Sequence, residues 1–348
     1  MTKHTIISAD SSNLSEIETG SVDLIVTSPP YPMIEMWDET FSHQDPKIGI
    51  ALNNGDGNAA FSGMHDVLDR VWRECDRVLA DSGFVCINIG DAVRTVGGIF
   101  RMYSNHSRII DSFIGMGYSV LPDIIWRKQS NAPNKFMGSG MYPAGAYVTY
   151  EHEYILIFRK GGKRVFKGEE KTRRQKSAYF WEERNIWFSD LWEIKGTSQQ
   201  MKQTASLRNR NASFPIEIPL RLVNMYSVED DTVLDPFAGL GTTGIACMIS
   251  KRNSIGVDID KEIAEIALGK MEQETRVLNQ FIDNRLRKHI DFIEALPEDV
   301  KARCYVNEAH RFPVRTKQET GIGIDRLASI SRSGNTVLCE YEKHPGSI

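Results

Sequence analysis

The chain has 348 residues, 41% of them hydrophobic and 25% charged, with a formal net charge of −4; this fits an ordinary globular protein of one large domain with insertions or of two domains. Its five cysteines (Cys75, Cys86, Cys247, Cys304, Cys339) are odd in number and scattered, which argues against a disulfide framework and a structural zinc site and for a reducing cytoplasm. No run approaches the roughly 20 apolar residues of a membrane span, and Met1–Thr5 lacks the apolar core of a signal peptide, so neither a membrane partner nor a metal is expected.

In chain order, Ile6–Asp10 reads as a strand ending in an acid, and Val22–Val26 as a buried strand. It stops at Thr27-Ser28-Pro29-Pro30-Tyr31-Pro32. Prolines donate no backbone N–H, fix their own φ and push the preceding residue toward extended geometry. The expected product is a stiff turn with outward carbonyls, flanked by the Ser28 hydroxyl and the Tyr31 ring. Such a set of groups suits a planar ring bearing an exocyclic amine: oxygens accept its N–H protons, and the tyrosine stacks on its face. The polar, Gly/Asn-rich stretch Met33 to Gly63 reads as a loop or flexible insert. A helix over Met64–Leu79, a strand over Phe84–Ile89, a helix over Asn105–Met116, and strands over Val120–Trp126 and Tyr154–Phe158 follow, with a Gly/Pro-rich loop from Lys128 to Gly145 between the last two.

From Arg127 to Arg210 there are 17 lysines and arginines against 8 acids. The densest part holds Lys163, Arg164, Lys167, Lys171, Arg173, Arg174 and Lys176, ahead of Tyr179, Phe180, Trp181, Trp187, Phe188 and Trp192. A basic region on an acidic body suggests a local polyanion contact, and these seven cations are the candidate phosphate ligands. Phe214-Pro215 leads into an amphipathic helix, Ile218–Met225. Then Val233-Leu234-Asp235-Pro236-Phe237-Ala238-Gly239-Leu240-Gly241-Thr242-Thr243 reads as strand, Gly-rich turn and helix. Gly239-x-Gly241-x-x-Gly244 fits a nucleoside-binding fingerprint, with Asp258, at the end of the next strand, placed to bind ribose hydroxyls. Asp235 stands where its charge would repel a pyrophosphate but attract a cationic amino-acid group, which favours S-adenosylmethionine over NAD. Alternating strands and helices predict α/β, a doubly wound mostly parallel sheet. The charged tail after about residue 274 gives only weak strand signals and no assignable task.

Together, the Ser-Pro-Pro-Tyr turn, the Gly-rich loop and the basic insert resemble the DNA amino-methyltransferases. With the catalytic motif first and the cofactor motif last, the order resembles their permuted β group. Asp190–Ile194, Asn211–Pro215 and Glu151–Phe158 are similar to lesser family segments, over roughly residues 6 to 270. The resemblance implies a Rossmann-like methyltransferase organised as a catalytic half (1–160), a target-recognition insert (161–210), a cofactor half (211–273) and a C-terminal extension (274–348). It implies catalytic roles for Ser28, Pro29, Pro30 and Tyr31. Asp10, Phe214, Pro215, Asp235, Phe237, Gly239, Gly241, Thr242, Thr243 and Asp258 would hold S-adenosylmethionine. Double-stranded DNA and a cognate restriction endonuclease would be its partners.

The target amine is unreachable inside a duplex, so the base must be flipped out. Methylation at cytosine C5 needs a thiolate, usually from a Pro-Cys pair, and no cysteine here follows a proline. Family members with Ser at the first motif position are mostly N4-cytosine enzymes, so Ser28 favours cytosine N4, with adenine N6 as the alternative. An RNA or protein amine methyltransferase, a nicotinamide-dependent oxidoreductase and a non-catalytic DNA-binding module are the remaining readings.

Overall fold

The computed structural model describes residues 1–128, 143–145, 148, 150–196, 214–273 and 275–345. Fourteen strands are found among them: β1 Thr2–Ser8, β2 Val22–Thr27, β3 Leu79–Ile89, β4 Ala92–Val96, β5 Ile99–Tyr103, β6 Ser119–Lys128, β7 His152–Arg159, β8 Leu191–Ile194, β9 Thr232–Asp235, β10 Asn253–Asp258, β11 Tyr305–Val306, β12 Pro313–Val314, β13 Asp325–Ser333 and β14 Thr336–Lys343. Ten form one sheet in the order β13-β14-β1-β10-β9-β2-β3-β7-β6-β8. Its centre, β1 to β3, is parallel. β7 runs antiparallel to both β3 and β6, and β8 is parallel to β6.

Both faces of the central strands are covered, which is why they read as unbroken apolar runs. On β2, Ile25 joins one cluster with Trp72, Ile109 and Phe113 from helices Gly57–Val78 and Asn105–Gly115. Leu24 and Val26 point the other way, into a cluster with Trp126, Trp192, Leu222 and Val223. β7 alternates likewise, with Leu156 and Phe158 in the first cluster and Ile155 and Ile157 in the second. The sheet is thus doubly wound, mostly parallel α/β.

One expectation is corrected, and two features are added to the reading. Met33 to Gly63 is not a loop but carries helices Asp38–Gln44 and Pro46–Asn53 and the first turns of Gly57–Val78. Asp45 and Asp56 cap the last two by accepting from Lys47 N and Ala59 N, so the Asn/Asp/Gly residues read as loop are helix punctuation. The hairpin β4–β5 was not foreseen. The tail completes the sheet: β14 pairs antiparallel with β1, and helix Thr275–Glu294 packs Leu278, Ile282 and Leu286 into a third cluster. That cluster also takes Phe180 from the expected insert, where Arg285 pairs with Glu183 and His289 with Glu182. Boundaries at 160 and 273 therefore divide the sequence without dividing the packing. Residues 197–210 of the expected insert, Asn211–Ser213 and most of the Lys128–Gly145 stretch lie outside the described residues. No described helix is long and apolar enough to cross a membrane.

Candidate active site

The parallel strands deliver both signature turns to one edge of the sheet, outside their carboxyl ends, where open α/β sheets bind ligands. The Ser28–Tyr31 turn leaves β2 there, the glycine loop leaves neighbouring β9, and Asp10 and Asp258 follow β1 and β10. Between them lies a cavity of about 580 Å³, within the range of small-molecule sites. Asp10, Ser28, Pro29, Pro30, Phe214, Asp235, Phe237, Gly239, Thr242 and Asp258 all line it. Thirteen of the fourteen expected catalytic and cofactor residues come to this edge: Gly241 and Thr243 stand behind the loop that follows β9, and Tyr31 behind the proline turn. Pro215 is buried beside Phe214, its carbonyl accepting from Ile218 N.

The two turns are bolted together through Asp235. Thr27 Oγ1 donates to its Oδ1 at 2.6 Å, Thr243 Oγ1 to its Oδ2 at 2.7 Å and Phe237 N to Oδ1 at 3.1 Å. Burial nonetheless pushes the Asp235 carboxyl up to about 6, because desolvation outweighs these hydrogen bonds. Asp258 braces the loop from the other side, accepting from Gly239 N and Asp260 N at 2.9 Å each; burial raises its pKa as well. Gly239 and Gly241 have φ of +48° and +77°, a region costly for residues with a Cβ. At Gly241 a Cβ would also meet Ala267 at 3.2 Å. Phe237 leans on Trp72, ring centres 6.0 Å apart.

A second network surrounds Tyr31. Its hydroxyl donates to Glu153 Oε2 at 2.9 Å and accepts from Ser28 Oγ at 3.1 Å and from Asn88 Nδ2 at 2.7 Å. Asn88 Nδ2 also donates to Glu153 Oε2 at 2.7 Å, and Lys128 Nζ pairs with Glu153 Oε1. Burial, joined by the Glu153 charge, pushes the phenol well above its ordinary pKa, so the hydroxyl keeps its proton. The carboxylate fixes the Asn88 amide with its N–H side inward, and Asn88 Oδ1 is buried with no hydrogen-bond partner among the described residues.

Sequence reasoning missed several of these groups. Asn88, Lys128 and Glu153 had no task; Glu153 sits inside an apolar strand, and a lone acid buried there is the signal that was available. Trp37, Glu39, Phe41 and His43 line the cavity but fell in the stretch read as a loop.

The seven expected phosphate ligands are not brought to this edge. Because β7 is antiparallel, Arg159 pairs with Phe84 near the start of β3, and the chain leaves at the opposite edge. The two edges are separated by the length of β2, six residues, or roughly 20 Å at strand rise. There Arg164 holds Asp231 in two hydrogen bonds of 2.7 and 3.0 Å and approaches Asp23 at 3.5 Å. Arg173 lies 3.8 Å from Asp230. Arg164 and Arg174 both sit over the Phe166 ring at 4.8 Å. Lys163, Lys167, Lys171 and Lys176 are exposed on this far side.

Comparison with known proteins agrees with the geometry. The family model described as DNA methylase, N6_N4_Mtase, matches residues 22–269. The type II methyltransferase M.MthZI of Methanothermobacter thermautotrophicus is 49% identical over 324 residues, 92% of this chain and 90% of that protein. M.MjaI of Methanocaldococcus jannaschii, also a type II methyltransferase, is 49% identical over 276 residues, 76% of this chain and 90% of its own. Among solved structures, TTHA0409 of Thermus thermophilus in complex with S-adenosyl-L-methionine is 31% identical, with a TM-score of 0.59 over 77% of this chain and 92% of that one. The cytosine-N4-specific PvuII DNA methyltransferase shares the fold at 18% identity and a TM-score of 0.52, over 82% and 93% of the two chains.

Proposed function

This chain belongs to the DNA methylase family, and from that premise we propose that it is a site-specific type II DNA methyltransferase that transfers a methyl group from S-adenosylmethionine to the exocyclic N4 of a flipped cytosine. The observation that carries the reading is the meeting of the Ser28-Pro29-Pro30 turn and the glycine loop on one cavity. The cavity suits this cofactor chemically. Five carboxylates, Asp10, Glu39, Asp235, Asp258 and Asp260, stand in its wall; they favour a cationic amino-acid group and ribose hydroxyls and oppose a pyrophosphate, which weakens the nicotinamide alternative. The complex of TTHA0409, at 31% identity, contains the same cofactor.

When bound, S-adenosylmethionine would supply a methyl group on a sulfonium that a neutral amine can displace directly, the N–C bond forming as the S–C bond breaks, with S-adenosylhomocysteine leaving as a neutral thioether and one amine proton passing to solvent. What remains for the protein is positioning. Ser28 Oγ and the Pro29 carbonyl would accept the two N–H bonds of the target amine and aim its lone pair at the methyl. The half-buried Tyr31 ring, its hydroxyl already anchored, would stack on the extruded base, a contact worth about 1–3 kcal/mol. Phe214 and Phe237 would flank the cofactor. Serine at the head of the turn favours cytosine N4 over adenine N6. The relatives' type II designation supports a role in a restriction–modification pair, with a cognate endonuclease cutting the same site.

Incubating the protein with labelled S-adenosylmethionine and duplex DNA of varied sequence, then digesting to nucleosides, tests both levels. N4-methylcytosine is expected. N6-methyladenine would reverse the choice of base; absence of both, with transfer to RNA or protein instead, would reject the DNA reading.

A further inference from the structure

The hydrogen bonds around Tyr31 have a direction, and its origin is a residue outside both turns. A carboxylate only accepts, so the Tyr31 O–H must donate to Glu153 Oε2 at 2.9 Å. A hydroxyl has one proton and two lone pairs. Asn88 Nδ2, at 2.7 Å, occupies one lone pair, and Ser28 Oγ, at 3.1 Å, donates to the other. Tyr31 is then saturated. Ser28 has given its single proton away from the cavity it lines, and only its own lone pairs face inward. Glu153 is in turn held in place: it is 8% exposed, lies opposite Trp126 in the β6–β7 pairing, and is gripped by Asn88 at one oxygen and Lys128 at the other.

We propose that Glu153 is a positioning residue for methyl transfer: by obliging Tyr31 to donate to it, it makes the Ser28 hydroxyl an acceptor that takes an N–H from the target amine and cannot donate to it. The distinction matters for the chemistry. A hydroxyl that donates to the amine nitrogen occupies the lone pair that must attack the methyl; a hydroxyl that accepts leaves that pair free and draws it out of conjugation with the ring. The inference deepens the reading above and rests on it.

Glu153→Gln tests it. If the new amide oxygen faces Tyr31, its NH2 confronts the Lys128 ammonium; if the NH2 faces Tyr31, it confronts Asn88 and turns the Tyr31 proton onto Ser28 Oγ, whose own proton then faces the cavity. The expected result is a kcat lower by roughly 10- to 100-fold, with KM for DNA and for S-adenosylmethionine within about twofold. Rates are normalised to cofactor-binding sites counted by calorimetry, so that loss of folded protein does not pass for slow transfer. Tyr31→Phe keeps the ring and removes the hydroxyl through which Glu153 acts. The double variant Y31F/E153Q should therefore be no slower than Y31F alone. If E153Q yields no folded protein, the pair S28A and S28A/Y31F replaces it, and the second change should again be silent. Multiplying losses in either cycle, or parental kcat in E153Q, would overturn the inference while leaving the function intact. An unaltered protein inactive on DNA would overturn both.

Discussion

The two edges of one sheet both carry charged residues and put them to different uses. At the edge where the parallel strands end, charges stand incompletely matched: Asp235 is buried with a raised pKa, Asp258 likewise, and Asn88 Oδ1 has no partner among the described residues. At the edge where they begin, several buried or half-buried charges are paired. Arg164 closes on Asp231 and Asp23, Arg173 approaches Asp230, and Lys251 bridges Glu229 and Asp325. Unmatched buried groups store binding energy for a ligand, whereas matched ones spend it on the fold. Of the run of cations that looks most like a nucleic-acid contact in the sequence, Arg164 and Arg173 belong to the second kind, while its four lysines stay exposed on the same edge.

The largest effect should come from the first edge. Ser28→Ala is expected to cut turnover roughly 100-fold or more, in the range of losing a preorganised polar group at a reacting centre. Calorimetry should give S-adenosylmethionine affinity within about twofold of the parent. Equal loss of both would mean that the serine builds the cavity rather than aims the amine. Next comes Asp235→Asn, expected to weaken the cofactor about tenfold at pH 8, about the worth of one charge-assisted contact. Its pH dependence is the sharper test. The folded-state pKa of Asp235 is raised to about 6, so the charged form is disfavoured by folding and favoured by a cationic ligand. As pH falls from 6 toward 4, this residue's share of cofactor affinity should fall while its share of ligand-free stability rises. Subtracting the D235N profile from the parent's isolates both trends; two trends of the same sign would remove Asp235 from the cofactor site.

Much of the first edge was legible, and the reason is local. Proline fixes φ wherever it stands and a glycine pair permits positive φ, so Pro29-Pro30 and Gly239-x-Gly241 announced their turns without reference to the rest of the chain. A buried apolar strand such as Val22–Val26 announced its place in the sheet's centre. What could not be read was long-range direction. Nothing in Glu153 to Lys160 shows that β7 runs against its neighbours, yet that one fact carries the basic stretch to the far edge and puts Glu153 beside Tyr31. The helices over 38–53 were hidden by their own caps, since Asp45 and Asp56 look like loop residues until the following turn is seen to use them. The tail was opaque because β14 pairs with β1, more than three hundred residues away in sequence, and β13 pairs in turn with β14.

The second edge predicts a stability effect without a functional one. Arg164→Ala leaves Asp231, itself 4% exposed, without its bidentate partner. Because the arginine is partly solvated, the cost should fall below that of breaking a fully buried pair, at about 2 kcal/mol. A lower melting temperature with unchanged kcat and DNA affinity per folded molecule is the expected pattern. A drop in DNA affinity at full stability would return Arg164 to the phosphate-binding set.

The smallest expected effect is also the most direct test of the comparison. Lys163, Lys167 and Lys171 are exposed on the far edge, and replacing all three by alanine should leave DNA affinity nearly unaltered. Affinity at one ionic strength is a poor gauge, because removing three positive charges weakens attraction to any polyanion. The slope of log Kd against log salt is a better one, since it counts cations displaced from phosphates. Three direct contacts would lower that slope by roughly 2.7, at about 0.9 per neutralised phosphate; long-range attraction alone should change it by less than about 0.5. A change near the larger figure would mean that DNA reaches both edges of the sheet, and that the ion pairs around Arg164 and Arg173 border a binding surface after all.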